Sequence, residues 1–496
     1  MPFDLRNSSR YLGPLLLLLI ATGVFGTRYW LPESLFWDEN YHIASAQKQI
    51  DGVMYMETHP PLGKMLIALG EVVAGGNGDL DKSQLLGRDH IGNGNLPKGF
   101  SYTGVRLASV TLMILAVLLL YALIMEIVRN RAIALAFASL LMFDNAVVTH
   151  TRSAMLEGIQ IFFVLLALWY FARIVAREAP IRLRHYAVLG VLIGFVVAVK
   201  ANGAVLLLLL VALFAVDQWS AVRERRWLAL SRRFAFAAPL GALAVATTFA
   251  AVFYVHIAST TDIVSNRTYK ASPEYVQHIR ANTTWTPAGF VTGLRDHLRY
   301  MAEYSAGVPR LDVCKPGENG SHPSGWPLGG KTINYRWNKD VVGGRVEVSY
   351  TYLVANPLVW LPVALGVVLS LGLLIGRVVY GQRPQDPRLF HWIALFAALY
   401  VAYMLAMLQF ERVMYLYHYL LPLVFGIVNL ALVFRYIFAE GLQAQRPHTL
   451  VNLGVFVVLV AGVFAFFAPL TYGTPLTPEQ FELRQWFEFW KLQPVR

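Results

Sequence analysis

Apolar residues fall in long runs separated by short polar stretches. Leu12–Trp30, Val105–Ile127, Ile159–Val175, Phe234–Val255, Leu358–Val379 and Val451–Leu470 each approach the roughly 20 residues that a helix needs to cross a hydrocarbon core. With the weaker runs included, the pattern predicts about eleven transmembrane helices, near 11–31, 103–127, 132–148, 154–176, 185–199, 203–217, 234–256, 354–378, 389–409, 413–435 and 449–472. The fold class read from this is an all-α polytopic integral membrane protein. The first run has no A-x-A-like cleavage site and reads as a retained helix.

Arginines orient the spans. They lie at Arg6 and Arg10, at Arg129 and Arg131, at Arg173, Arg177, Arg182 and Arg184, and at Arg223, Arg225, Arg226, Arg232 and Arg233. Further on come Arg377, Arg383 and Arg388, then Arg435 and Arg446. The short alternate loops are poor in basic residues, so the arginine-rich loops and the N-terminus are cytoplasmic. The segments 32–102 and 257–353 then face outward, as does the tail 473–496. Both loops flanking 185–217 are basic, so an even number of crossings must separate them. That favours two short helices around Lys200-Ala201-Asn202-Gly203 over one long helix.

Composition agrees. The 496 residues are 56% hydrophobic and 15% charged, against roughly 25% charged in soluble chains. The net charge of +12 sits in short loops, so the bilayer explains it and nucleic acid is not an expected partner. Cys314 is the only cysteine, which excludes an intrachain disulfide.

Polar chemistry collects at the outward ends. Phe36-Trp37-Asp38-Glu39-Asn40-Tyr41-His42 follows the first span. It reads either as a helix cap with an aromatic belt or as a general base facing a lipid-borne substrate. Thr58-His59-Pro60-Pro61-Leu62-Gly63-Lys64 has the proline punctuation of a helix start. Free N–H groups there, with Lys64, suit an anion; a snorkelling lysine on an interfacial helix is the competing reading. Asp144-Asn145 closes the third predicted span, and Arg152 and Glu157 open the fourth; caps and interfacial charges are the alternative. Lys200 and Asn202 would lie at or below the outer headgroups, where charge is costly unless paired or lining a cavity. Arg412, Tyr415 and Tyr419 fall at i, i+3 and i+7, one face of a predicted helix. Asp38, Glu39, His59, Lys64, Arg106, Asp144, Arg152, Glu157, Lys200, Arg412 and His418 all map outward under a topology drawn from arginines alone.

The ordered set of motifs resembles the protein O-mannosyltransferase family, within the GT-C class of membrane glycosyltransferases. It runs from Asp38-Glu39 through His59-Pro-Pro-Leu-Gly-Lys64, Tyr102-x-x-x-Arg106-Leu107, Asp144-Asn145, Thr151-Arg152 and Met155-Leu156-Glu157 to Gly194 and Lys200-x-Asn-Gly203. It continues with Ser321-His322-Pro323, Trp326-Pro327-Leu328, Asn356-Pro357-Leu358-Val359-Trp360, and Arg412 through Leu416-Tyr417-His418-Tyr419-Leu420. The resemblance implies the GT-C fold, with 1–472 as the catalytic transmembrane domain. It also implies transfer of a sugar, mannose in this family, from a polyprenyl or dolichyl phosphate to a hydroxyl on the non-cytoplasmic face. Asp38 is then the catalytic base with Glu39 beside it. Lys64, Arg106, Arg152, Arg412, Tyr415 and His418 are expected around the donor phosphate and lipid. His59, Asp144, Glu157, Lys200, Asn202, His322 and Trp326 are further site candidates.

Two departures stand out. The segment 257–353 is too short for the β-trefoil MIR domain of the eukaryotic enzymes, and Glu157 stands where Asp is common. The first points to a bacterial-type member in the inner (plasma) membrane, acting on its periplasmic or extracellular face. The expected reaction is direct displacement. Asp38 takes the proton of an acceptor Ser or Thr hydroxyl, and Lys64, Arg106 and Arg412 stabilise the departing phosphate. No cofactor is required. Glu39 and Glu157 would position groups, with a divalent metal as the alternative; no metal-ligand set is assigned. The partners are the lipid-linked donor, an acceptor protein or peptide, and the bilayer. A GT-C transferase modifying a lipid or glycan is the first alternative. A transporter is the second, and it would call for polar residues near mid-membrane and repeat symmetry.

Overall fold

Helices form where the apolar runs lie. The computed structural model describes residues 5–177, 180–264, 270–342, 345–444 and 446–494, without the side chains of residues 5–10, 342, 345 and 346. Among the described residues, eight helices are long and apolar enough to cross a membrane: Thr103–Val128, Leu156–Ala176, Ala201–Arg223, Trp227–Ala258, Pro357–Val379, Pro387–Leu408, Leu416–Ile437 and Pro447–Tyr472. Arg131–Met142 and Asn145–Thr151 form one further candidate, bent by 59° at its break. Shorter apolar helices, Tyr11–Gly26 and Leu183–Val199, take the remaining two predicted positions. Much of the surface of Trp227–Ala258 and Pro447–Tyr472 is apolar yet unburied. Water would penalise such a surface, whereas lipid does not.

Two local expectations need correction. The third span does not run unbroken over 132–148, because its helix stops at Met142 and a new one starts at Asn145. The tenth does not open as a helix at Val413. Residues 411–415 are non-helical, Leu416–Tyr419 is a 3₁₀ turn, and the α-helix is Leu420–Ile437. Arg412, Tyr415 and Tyr419 therefore do not share a helical face. The outward segment 257–353 has regular structure of its own. It holds helices Pro273–Arg280 and Pro287–Gly307 and strands β1 (Ile333–Val342) and β2 (Arg345–Leu353).

The chain divides into two compact units. The first comprises Met1–Thr27, Ile114–His150 and Pro309–Arg496. Here β1 pairs antiparallel with β2, and β3 (Pro475–Leu476) adds to the other edge of β2. The C-terminal stretch is thus built into this unit. Thr332 N–H donates to the Trp490 carbonyl at 2.8 Å, and Phe481 and Trp490 are buried beside Tyr350 and Tyr352.

The break at Phe143-Asp144 is stapled within this same unit. Asp144 accepts from Val147 N–H (2.9 Å), Asn356 N–H (3.1 Å) and Trp360 Nε1–H (2.8 Å). Asn356 donates to the carbonyls of Phe143 (2.8 Å) and Val460 (3.0 Å), and Asn145 donates to Thr471 Oγ1 at 2.8 Å. Asp144 is fully buried and its oxygens accept from the scaffold. Asp144→Ala leaves three donors without their acceptor, at about 1–3 kcal/mol for each one left buried and unsatisfied. The expected result is a melting temperature in detergent lowered by several degrees or more.

The second unit comprises Arg28–Met113 and Thr151–Val308. Its Leu183–Val199 and Trp227–Ala258 helices cross closely, and a Cβ on Gly190 would sit 2.5 Å from the Gly241 carbonyl. Small residues permit such backbone approach in membranes. The helices Glu39–Ile50 and Leu62–Ala74 pack on Leu156, Ile159 and Val199 through Ile43, Ala44, Ile67 and Ala68.

Candidate active site

Asp38 stands on a rigid mount. Its neighbour Glu39 is fully buried against Arg106, with Arg106 Nε–Glu39 Oε1 at 2.7 Å and Nη2–Oε2 at 2.8 Å. The remaining Arg106 donors reach the carbonyls of Trp30 (2.8 Å), Pro32 (2.9 Å) and Ser34 (3.0 Å). Its guanidinium also lies over the Tyr102 ring, 4.2 Å from the centroid. Glu39 further accepts from Ala154 N–H at 2.8 Å and Phe36 N–H at 3.3 Å. Arg106 and Glu39 are therefore satisfied by the protein itself. All five Arg106 N–H donors are engaged within the protein, and the Glu39 carboxylate is turned to Arg106, Ala154 and Phe36.

The chain turns sharply at Trp37, which has a left-handed φ of 54°. Such a φ is strained for a bulky side chain. Asp38 follows at the head of the Glu39–Ile50 helix, partly exposed. Its carboxylate does not cap that helix, so it is not spent on the first-turn N–H groups.

Around Asp38 the same unit gathers charged and titratable groups. His42 Nδ1–H donates to the Ala154 carbonyl at 2.9 Å, leaving Nε2 as the acceptor of a neutral ring. Burial, then the Lys64 charge, hold His42 below the ordinary imidazole range, while Asp38 and Glu57 pull the other way. Burial also depresses His59 well below that range, reinforced by Lys200, Lys64 and His42 and opposed by Glu157. Both shifts favour the neutral ring.

Lys64 lies in the first turn of Leu62–Ala74, fully buried. Its Nζ reaches the His59 carbonyl at 3.4 Å and Glu57 Oε2 at 3.8 Å. Burial lowers its basicity, Glu57, Asp38 and Glu157 raise it, and Lys200 lowers it again. The preceding Gly63 is required by packing, since a Cβ there would meet Leu156 Cδ2 at 2.5 Å. Lys200 pairs with Glu157 at 2.6 Å, and Gln160 bridges the Lys200 carbonyl (3.0 Å) and Asn202 Oδ1 (2.8 Å). The charge that looked costly at Lys200 is thus paired. Arg152 is buried and donates to the Arg28 carbonyl at 3.0 Å.

Asp38, His42, His59, Lys64, Glu157 and Lys200 are thus brought together. Sequence reasoning missed Glu57. Its signal was an acid two residues ahead of His59-Pro-Pro, after the apolar run Val53–Met56. Among the described residues, no three His, Cys, Asp or Glu side chains are grouped as a metal site would need.

The other predicted residues belong to the first unit. His418 is stacked between Tyr417 (4.6 Å, 21°) and Trp326 (6.0 Å, 14°). Trp326 is buried and donates Nε1–H to Ser321 Oγ at 2.8 Å. His322 is exposed, with Nδ1 2.8 Å from Ser324 Oγ. Tyr415 stacks on Tyr417 at 5.7 Å. The Arg412 guanidinium lies 5.7 Å from the Phe410 centroid, and its buried Nε finds no hydrogen-bond acceptor among the described residues.

The family described as dolichyl-phosphate-mannose-protein mannosyltransferase matches residues 15–261, and the C-terminal four-span region of protein-O-mannosyltransferase matches 301–490. The chain belongs to the protein O-mannosyltransferase family. Protein O-mannosyl-transferase 1 of Danio rerio is 27% identical over 215 residues, 42% of this chain and 29% of that protein. The chain thus matches under a third of that animal relative. The polyprenol-phosphate-mannose–protein mannosyltransferase of Mycobacterium tuberculosis is 23% identical over 510 residues, 95% of this chain and 87% of that one. The S. cerevisiae Pmt1-Pmt2 complex bound to the sugar donor superimposes with a TM-score of 0.82 at 15% identity, covering 99% of this chain and 93% of that chain. The GT-C fold implied by the motifs is therefore the fold of this family member.

Proposed function

We propose that this chain transfers mannose from a polyprenyl-phosphate donor to Ser or Thr hydroxyls of proteins on the non-cytoplasmic face of a bacterial plasma membrane. The observation that carries the reading is Asp38. It is a carboxylate on the rigid Glu39–Arg106 mount, grouped with a buried lysine ammonium at the start of a helix. Family membership and the names of the relatives support the donor and acceptor classes.

The residues support a balanced displacement. Asp38 accepts the acceptor's hydroxyl proton as that oxygen forms a bond to the anomeric carbon. The bond from that carbon to the phosphate oxygen breaks, and polyprenyl phosphate leaves as an anion. Attack opposite the leaving group inverts the anomeric configuration. A glycosidase needs a second carboxyl group to protonate its leaving sugar; here Lys64 and the free N–H groups of the first turn of Leu62–Ala74 stabilise the departing charge instead. His42 and His59, held neutral, suit hydrogen bonding to sugar or acceptor hydroxyls. The reaction as written needs no metal.

Deletion in the native host tests the acceptor class. Secreted proteins should lose hexose from Ser and Thr, read by peptide mass spectrometry, while membrane lipids and glycans keep their sugars. Unchanged proteins with altered lipids would assign the chain to lipid or glycan modification.

A further inference from the structure

Lys64 poses a problem that its sequence position does not reveal. A fully buried ammonium is expensive without a partner, and the positive end of a helix is an unfavourable place for it. Lys200 adds like charge. Yet the contacts of Lys64 are long, 3.4 Å to the His59 carbonyl and 3.8 Å to Glu57. Among the described residues Glu57 is the carboxylate that lies in ion-pair range of it, with side-chain exposure of only 13%. One Glu57 oxygen is fixed by Ser45 Oγ on the Glu39–Ile50 helix, and the other faces Lys64. Burial alone would push the Glu57 carboxyl up, but Lys64, His42, Ser45 and Lys48 together bring it below its ordinary value.

We propose that Glu57 is a positioning residue for phosphate departure, the counter-ion that holds Lys64 in place as an ammonium. This rests on the assignment of Lys64 to the leaving phosphate. Glu57 is pinned from one side, so the flexible lysine is aimed by a fixed partner. The 3.8 Å spacing leaves ammonium donors for the donor phosphate. The charged and titratable groups facing Lys64 are Glu57, Asp38, Glu157, Lys200, His42 and His59. Removing the Glu57 charge leaves burial and Lys200 less opposed, so Lys64 loses its proton at lower pH.

The test measures kcat, donor KM and the pH profile of mannosyl transfer for wild type, Glu57→Gln, Glu57→Asp, Lys64→Arg and the double variant Glu57→Gln/Lys64→Arg. Glu57→Gln is expected to lower kcat roughly tenfold to a hundredfold, with donor KM little changed. Its alkaline limb moves to lower pH, and Glu57→Asp largely restores both. Because a guanidinium does not deprotonate, Glu57→Gln moves no alkaline limb in the Lys64→Arg background. In parallel, the pH dependence of Lys64 modification by a small amine-reactive reagent, read by peptide mass, should move to lower pH in Glu57→Gln. An unmoved alkaline limb, or an unmoved Lys64 labelling profile, overturns the inference. A wild-type protein that transfers no mannose but shows the labelling shift overturns the proposed function and keeps the Glu57–Lys64 coupling.

Discussion

Asp38→Asn is expected to remove mannosyl transfer, lowering kcat by roughly 10²–10⁴, while the protein purifies and melts as wild type does. The amide has nearly the shape of the carboxylate but cannot take the acceptor's proton. Folding should survive because the substitution keeps the shape of the side chain and the Glu39–Arg106 mount is bonded through its own groups. Glu39, Arg106, Trp30, Pro32, Ser34 and Ala154 hold one another through their own bonds, and the Glu39–Ile50 helix is not capped by the Asp38 carboxylate. Donor binding should change little, because the loss falls on the chemical step. Steady-state kinetics with donor and peptide varied separately, beside a thermal melt, check this. A variant with near-normal turnover would remove Asp38 from the role of base.

Arg106→Ala is expected to do the opposite, destroying the protein before any kinetic effect can be read. The change strands a fully buried Glu39 carboxylate and three backbone carbonyls. Breaking a buried ion pair by removing one partner costs about 3–5 kcal/mol, a large share of a typical stability of roughly 5–15 kcal/mol. Arg106→Lys should rescue little, because a single ammonium cannot reproduce the five-donor fork that meets Glu39 and three carbonyls. The readout is the yield of monodisperse protein in size-exclusion chromatography and its melting temperature. A well-folded Arg106→Ala variant with weakened donor binding alone would return Arg106 to the phosphate.

Arg106 also shows where sequence reading stops. Its type and its place on the outward side were legible, because apolar runs and arginine parity locate both. Its partner was not, since Glu39 lies 67 positions away in the chain and no local pattern links them. The helices were legible because lipid demands long apolar runs, and the break at Asp144 was hinted at by a charge where a run should continue. The non-helical start at Arg412 was missed because tyrosines and leucines at helical spacing occur equally well in a stretch anchored by Pro309 and Arg310. The sheet left a readable trace in the alternation of Val348, Tyr350 and Tyr352, which are buried. Its third strand comes from residues 475–476, too far away and too short to be inferred. Among the site candidates, Asp38, His59 and Lys64 were proposed from motif chemistry. Glu57 escaped because its importance lies in what it faces.

The most direct test incubates the purified protein with polyprenyl-phosphate mannose and a Ser/Thr peptide, and reads product mass and anomeric configuration. The account predicts a peptide carrying one added hexose on a hydroxyl, with the configuration inverted relative to the donor and polyprenyl phosphate released in equal amount. A retained configuration, or donor turnover with no hexose on the peptide, would contradict it.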